Sequence, residues 1–366
     1  MKNKKLLALV MIAAMLLGAF AACDSKKEKT ETPEETTKAA EAETAEQTEA
    51  AEDEEETVVT TEETYPEPEE PVVTFSGDPD EMITITENSY YEGDLYYICF
   101  MEGCVVPGST PETIELVINE LEDLYGMPFE KNDLHQESDW RDSFCDGAFK
   151  YVNIDNSKVN IIVLPYPDDG SIEQSFGNEA VLFDCDLDLN GLAFAAVPHE
   201  LAHVYRAKQS EELGSIFEEG FAMYAEDQVS RRLGFANWDV VIYKTKGYFN
   251  TEYDDSGILA DPEGEFIEVN DSPRDTEQAN YQYGFRLIAF LMEEYGPESI
   301  KKISENANNH TFEPGIDTND ELVIEIIKES TSDDVFELFA EWLPEGWDNY
   351  SEEYVTYMMD EYGIEV

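Results

Sequence analysis

Hydrophobic positions divide the chain into three stretches of different character. Leu6 to Ala22 is a single apolar run broken by no charge. Residues 24–72 are almost entirely Glu, Thr, Ala, Lys and Pro, too poor in apolar surface to offset the entropy of ordering a chain. From residue 73 to 366, aliphatic and aromatic residues recur with the periods of strands and helices. Ile83-Thr84-Ile85-Thr86 alternates, and Tyr96-Tyr97-Ile98-Cys99-Phe100 is aromatic and apolar, which predicts a strand pair around Glu92-Gly93-Asp94. Thr110-Pro111 starts a helix whose stripe is Ile114, Val117, Ile118, Leu121 and Leu124, and Gly126 ends it. Asn160–Leu164 and Ala180–Phe183 read as strands of a small sheet, separated by the turn-rich segment 165–177. Helices dominate the remainder: around residues 199–203 and at 213–233, 281–295, 298–307, 318–329 and 332–342, with Thr318 and Glu321 forming a capping box. No internal repeat is present.

The N-terminal run follows Lys2, Lys4 and Lys5, the arrangement of a secretory signal. It closes on Phe20-Ala21-Ala22-Cys23, which resembles the lipobox at which bacterial lipoproteins are cleaved and acylated on cysteine. The alternative is an uncleaved anchor, the run being slightly short of the roughly 20 residues that span a bilayer. Either reading puts the remaining chain outside the cytoplasm beside a membrane, with 24–72 as a charged, extended tether. The expected organisation is a signal peptide at 1–22, the tether at 23–72, a β-containing subdomain at 73–230 and a helical one at 231–366.

Charge narrows the range of partners. The chain carries −62, of which residues 24–72, with 19 acidic and 4 basic residues, account for −15, and the folded part keeps about −50. A phosphate backbone is repelled by such a surface, so nucleic acid is excluded as a partner, whereas a cationic peptide is attracted. With Cys23 assigned to lipid, Cys99, Cys104, Cys145 and Cys185 are left for two disulfides or for buried thiols, and their spacing matches no metal pattern.

The chemistry concentrates in His199-Glu200-Leu201-Ala202-His203. On a helix, residues four apart share a face one turn apart, so both imidazoles reach one Zn²⁺ while Glu200 stands beside the open metal position as a proton acceptor. A catalytic zinc takes three protein ligands and a water, so a third ligand is required. Downstream lies Phe217-Glu218-Glu219-Gly220-Phe221-Ala222, followed by Glu226. Glu218 and Glu219 are both candidates, about 100° apart around a helix. Asp184, Asp186, Asp188 and Asn190 echo a calcium loop but lack its glycine and closing glutamate at the required offsets. His135 and His310 have no partner spacing. Pro198 requires the helix either to bend there or to begin there.

HExxH followed by Glu-Gly-Phe-Ala resembles the gluzincin metallopeptidases, including the aminopeptidase N and leukotriene hydrolase group. The resemblance implies Glu219 as the third ligand and Glu226 as an acidic partner behind the ligands. Tyr281-Gln282-Tyr283-Gly284-Phe285 is similar to that family's Tyr-x-x-Gly-Phe segment, which implies Tyr281 as the oxyanion-stabilising phenol, with Tyr283 as the alternative. Two features depart from the family: fifteen residues separate His203 from Glu219, slightly fewer than in the aminopeptidases, and the GxMEN substrate-anchoring motif is absent, so exopeptidase activity is not implied. The resemblance spans about residues 110–345. It implies an α+β, zincin-like (thermolysin-like) fold with a small mixed sheet, an active-site helix and a mainly helical C-terminal part. The expected function is extracytoplasmic hydrolysis of peptide bonds with one zinc ion, the substrate strand lying along a sheet edge at Ala180–Phe183. The alternative expectation is a non-catalytic surface lipoprotein or binding module on the same fold. A solute-binding lipoprotein fits the anchor but not the helix-rich second half.

Overall fold

The computed structural model describes residues 73–127, 158–165, 174–176, 179–187, 196–207, 213–234, 255–270, 279–312 and 319–350, with Glu352 and Thr356. Leu6–Ala22, Cys23, the tether, His135, Cys145, Asp188, Asn190 and Thr318 lie outside these residues.

The alternating N-terminal segment forms β1 (Met82–Thr84), and the expected turn at Glu92-Gly93-Asp94 joins β2 (Ser89–Glu92) to β3 (Tyr96–Phe100), the Gly93 N–H bonding Tyr96 O at 2.9 Å. β1 does not join that hairpin. It pairs antiparallel with β4 (Val105–Pro107) in a separate two-stranded sheet. The main sheet adds β5 (Val159–Leu164), β6 (Gln174–Phe176) and β7 (Glu179–Phe183) in the order β2-β3-β5-β7-β6. Pairing is parallel for β3–β5–β7 and antiparallel at both margins. Interior parallel strands are covered on both faces, which explains the unbroken apolar run of Ile161-Ile162-Val163-Leu164. Ile98, Phe100, Ile161, Val163, Ala180 and Leu182 enter the main core, and Cys99, Ile162, Leu164, Val181 and Phe183 form a second cluster. Because β6 pairs with Glu179–Val181 of β7, the expected edge at Ala180–Phe183 is already occupied over Ala180 and Val181 and is not the open margin of the sheet. The margin on this side is β6.

Helix α1 (Thr110–Tyr125) buries the stripe its sequence predicts, each buried aliphatic side chain contributing about 1.5–3 kcal/mol, and closes on Gly126 in the left-handed conformation. Asp184 opens a short 3-10 turn (Asp184–Leu187), and its carboxylate accepts the Val105 N–H at 3.0 Å, a long-range tie between the end of β7 and the start of β4. The two-disulfide alternative fails at Cys104. Its thiol is free, buried and directed to Val163 O at 3.3 Å, and burial pushes its pKa up to about 12.

The helical half comprises α2 (Ala196–Ala207), α3 (Ser215–Leu233), α4 (Ser256–Ala260), α5 (Pro262–Asn270), α6 (Ala279–Glu294), α7 (Pro297–Ala307), α8 (Asp320–Ser330) and α9 (Val335–Trp342), continued by a π-helical turn, Leu343–Trp347. α4 and α5 were not anticipated: they are short, and only Ile258, Phe266, Val269 and Asn270 within them are buried. The expected capping box is not formed, since α8 begins at Asp320 with Asn319 as N-cap and no side-chain cap bond, and Thr318 lies outside the described residues. α2 rests on β6 and β7, α3 packs on α2 and α1, and α6 packs along α3. All described residues belong to one compact unit, Pro66–Val366, and no described helix is long and apolar enough to cross a membrane.

Candidate metal centre

Pro198 lies in the first turn of α2, where a missing N–H deprives the helix of no internal bond, so the helix begins there rather than bending. Leu201, Ala202, Val204 and Tyr205 fix α2 in the core, and the opposite face presents His199 and His203, ring centroids 4.9 Å apart. Their Nε2 atoms are separated by 3.2 Å.

α3 delivers the third group. Its N-cap, Gly214, has no side chain to satisfy the first-turn donors, and Asn270 of α5 takes over that role: its Oδ1 accepts the Ile216 N–H at 3.1 Å and its Nδ2 donates to Asp320. Glu219 follows one turn later, 6% exposed, with Oε2 at 3.6 Å from His199 Nε2 and 3.3 Å from His203 Nε2. Glu219, not Glu218, therefore shares the cluster, and the ligating atoms of His199, His203 and Glu219 all lie within 4.8 Å of one another. Two helical turns further along α3, Glu226 Oε2 meets His199 Nδ1 at 3.0 Å. A carboxylate there holds the proton on Nδ1 and leaves the Nε2 lone pair directed into the cluster.

Three observations fit a metal. Oε2 of Glu219 is buried without a hydrogen-bond partner. Nitrogen and carboxylate oxygen form the donor set zinc prefers, and bonds of about 2.05 Å at tetrahedral angles place donors about 3.3 Å apart, close to the observed 3.2, 3.3 and 3.6 Å. The outer carboxylate orients a ligand imidazole.

Electrostatics agree with this reading. Burial opposes the charge on Glu219, but the His203 and His199 imidazoles hold its carboxyl well below the usual range. Burial likewise opposes a proton on His199, yet Glu219, Glu226 and Glu200 together raise its basicity well above that of free histidine. The support that His199 lends the metal-free fold is complete below its unfolded pKa and fades as pH rises through the raised folded value. That of Glu219 is complete above its unfolded pKa and is lost as pH falls through the lowered one. A metal at His199 Nε2 must displace the extra proton, so zinc uptake near neutral pH is expected to release about one proton and to tighten as pH rises. Calorimetric titration in buffers of differing ionisation enthalpy measures this, and a binding heat independent of buffer would contradict it.

Glu200 is 7% exposed and couples electrostatically to His199. The Tyr281 ring lies parallel to that of His199 at 6.3 Å. Tyr283 is remote in role: it is fully buried against Phe266 and Phe339, and its hydroxyl donates to Pro262 O at 2.7 Å. His310 pairs with Glu329 at 3.4 Å and takes no part in the cluster. Sequence reasoning did not find Asn270, whose signal was the absence of a side-chain cap at Gly214.

α3 and α6 meet through two glycines. A Cβ on Gly284 would stand 2.0 Å from Ile216 O, and one on Gly220 would stand 2.2 Å from the Gly284 carbonyl carbon. This contact brings the backbone beside Glu219 against the helix that carries Tyr281.

No family model and no curated relative match the chain. Among solved structures, a two-domain M1 zinc metallopeptidase variant bound to L-arginine aligns at 12% identity and TM-score 0.39, covering 70% of this chain and 51% of that one. An M1 zinc metallopeptidase variant from Deinococcus radiodurans bound to a Tyr-Ser-Ala substrate aligns at 13% identity and TM-score 0.37, covering 72% and 51%. The chain thus spans about half the length of these structures.

Proposed function

We infer that the protein is a zinc-dependent peptidase with a zincin-like fold, acting outside the cytoplasm from a lipid anchor on Cys23. The observation that carries the catalytic reading is the convergence of His199, His203 and Glu219. Zinc held by these three residues would polarise a scissile carbonyl and acidify a water. Glu200 takes the proton of the attacking water and returns it to the leaving amine. Tyr281 donates a hydrogen bond to the oxygen on which charge develops. Glu226 keeps His199 in its ligating tautomer. The substrate strand adds to the margin of β6 that pairs with no described strand and whose backbone adjoins α2. The acidic surface favours cationic peptides.

Elemental analysis of the purified full chain, followed by a peptide-library digest beside Glu200→Gln, tests this. About one zinc per chain and cleavage lost by at least about 100-fold in Glu200→Gln are expected. Zinc without cleavage would make the protein a metal-bearing binding module, and absence of zinc from a folded, zinc-supplemented chain would remove the reading altogether.

A further inference from the structure

One residue beyond Glu226, about 100° around α3, lies a second buried carboxylate that bonds none of the cluster residues named above. Asp227 is fully buried on α3 and gathers three donors: Arg231 Nε at 2.9 Å, Gln228 Nε2 at 3.1 Å and the Tyr350 hydroxyl. Gln228 Nε2 also bonds the Tyr350 oxygen at 2.8 Å, and the Arg231 guanidinium lies over the Tyr350 ring at 4.9 Å. Two of the three donors belong to α3 itself, so Tyr350 is the one among them that ties Asp227 to another element. Its ring lies 6.2 Å from Tyr224 of α3, 5.9 Å from Phe285 of α6 and 5.6 Å from Trp347, while Trp347 packs on Phe285 at 5.0 Å and beneath Arg286 at 4.7 Å. The C-terminal segment thus straps α3 to α6.

This strap supplies what the glycine crossing cannot. Backbone packed on backbone at Gly220 and Gly284 fixes the spacing of the two helices, but such a contact has no directional bond to oppose rotation or sliding. One residue of helix corresponds to about 100° of rotation, so Glu219 and Glu226 face His199 only at one setting of α3. Burying a carboxylate is costly unless every donor is in place, so the Asp227 cluster selects one setting over its neighbours.

We propose that Tyr350, through its hydroxyl bond to Asp227, is a positioning residue for the metal centre: the C-terminal segment sets the rotation of α3 and so aims Glu219 and Glu226 at the histidine pair. The proposal rests on the zinc reading above.

The test compares zinc affinity, by chelator competition, and the visible spectrum of the cobalt-substituted full chain for the parent, Tyr350→Phe and Tyr295→Phe, well below their melting temperatures. Tyr295→Phe removes a hydroxyl contact of 2.7 Å to Ser332 at the far end of α6 from Tyr281, a contact made to neither α2 nor α3, and so controls for loss of stability alone. Tyr350→Phe is expected to weaken zinc binding roughly 5- to 10-fold, less than loss of a group touching a ligand, and to shift the cobalt bands. Tyr295→Phe is expected to change neither. Gln228→Met, a milder change at a half-buried position, is expected to move both readouts in the same direction and keeps the test decisive where Tyr350→Phe does not fold. Unchanged affinity and spectrum in the folded variants would overturn the positioning role alone. A parent that binds no metal would overturn the zinc reading and this proposal together.

Discussion

On the proposed zinc reading, Glu219→Ala is expected to weaken zinc binding by more than the 10- to 100-fold typical of a group outside the ligand set, because it removes one of the three donors that converge among the described residues. The remaining pair of imidazoles would bind as a loose chelate with two positions left to solvent. Glu226→Gln should fall within that 10- to 100-fold range, since an amide still reaches His199 Nδ1 but no longer draws its proton as a carboxylate does. Glu218→Ala should leave affinity unchanged, because Glu218 lies one residue around α3 from the cluster. Chelator competition on folded variants gives the ranking directly. If Glu218→Ala proved the more damaging, the third ligand would have been assigned to the wrong carboxylate and the rotation of α3 would have to differ by about 100°.

What the sequence revealed, and what it concealed, separates along the distance between interacting residues. The histidine pair was legible because its chemistry lies in a four-residue helical spacing, and α1 was legible because Pro111, the apolar stripe and Gly126 are all local signals. Glu219 and Glu226 were implied only by the family resemblance, because the residues alone left Glu218 and Glu219 both open; it is the fold that brings Glu219 to the histidine pair. Strand order was not legible. β1 leaves the hairpin for β4, and β6 covers the margin of β7, because pairing partners are chosen by packing across long connections rather than by the local pattern. Pro198 was ambiguous until the start of α2 was known. The Asp227–Tyr350 bond spans 123 positions and carries no motif. Its one trace was an acid within Phe221–Asp227, a stretch of α3 that is buried at every position and therefore faces protein on all sides.

Gly284→Ala is expected to be strongly destabilising, although intrinsic helix propensity argues the reverse. In an exposed helix this substitution stabilises by about 1 kcal/mol. Here the new methyl would stand 2.0 Å from Ile216 O and 2.8 Å from Gly220 Cα, both backbone atoms that cannot swing aside. The helices must separate, and overpacking of this kind costs about 1–3 kcal/mol or more. Net of propensity, the melting temperature should fall by a few degrees, since a unit as large as Pro66–Val366 shifts by no more than roughly 2–4 °C per kcal/mol. Function should suffer beyond that stability loss, because the displaced backbone runs from Ile216 through Glu219 on one helix and lies three residues from Tyr281 on the other. On the proposed zinc-peptidase reading, activity measured well below the melting temperature is therefore expected to drop by at least about 10-fold, with weaker zinc binding, a 1 Å misplacement being enough to cost up to about 100-fold. A Gly284→Ala protein as stable and as active as the parent would mean that the crossing relaxes freely and that Glu219 and Tyr281 are held in place by other contacts.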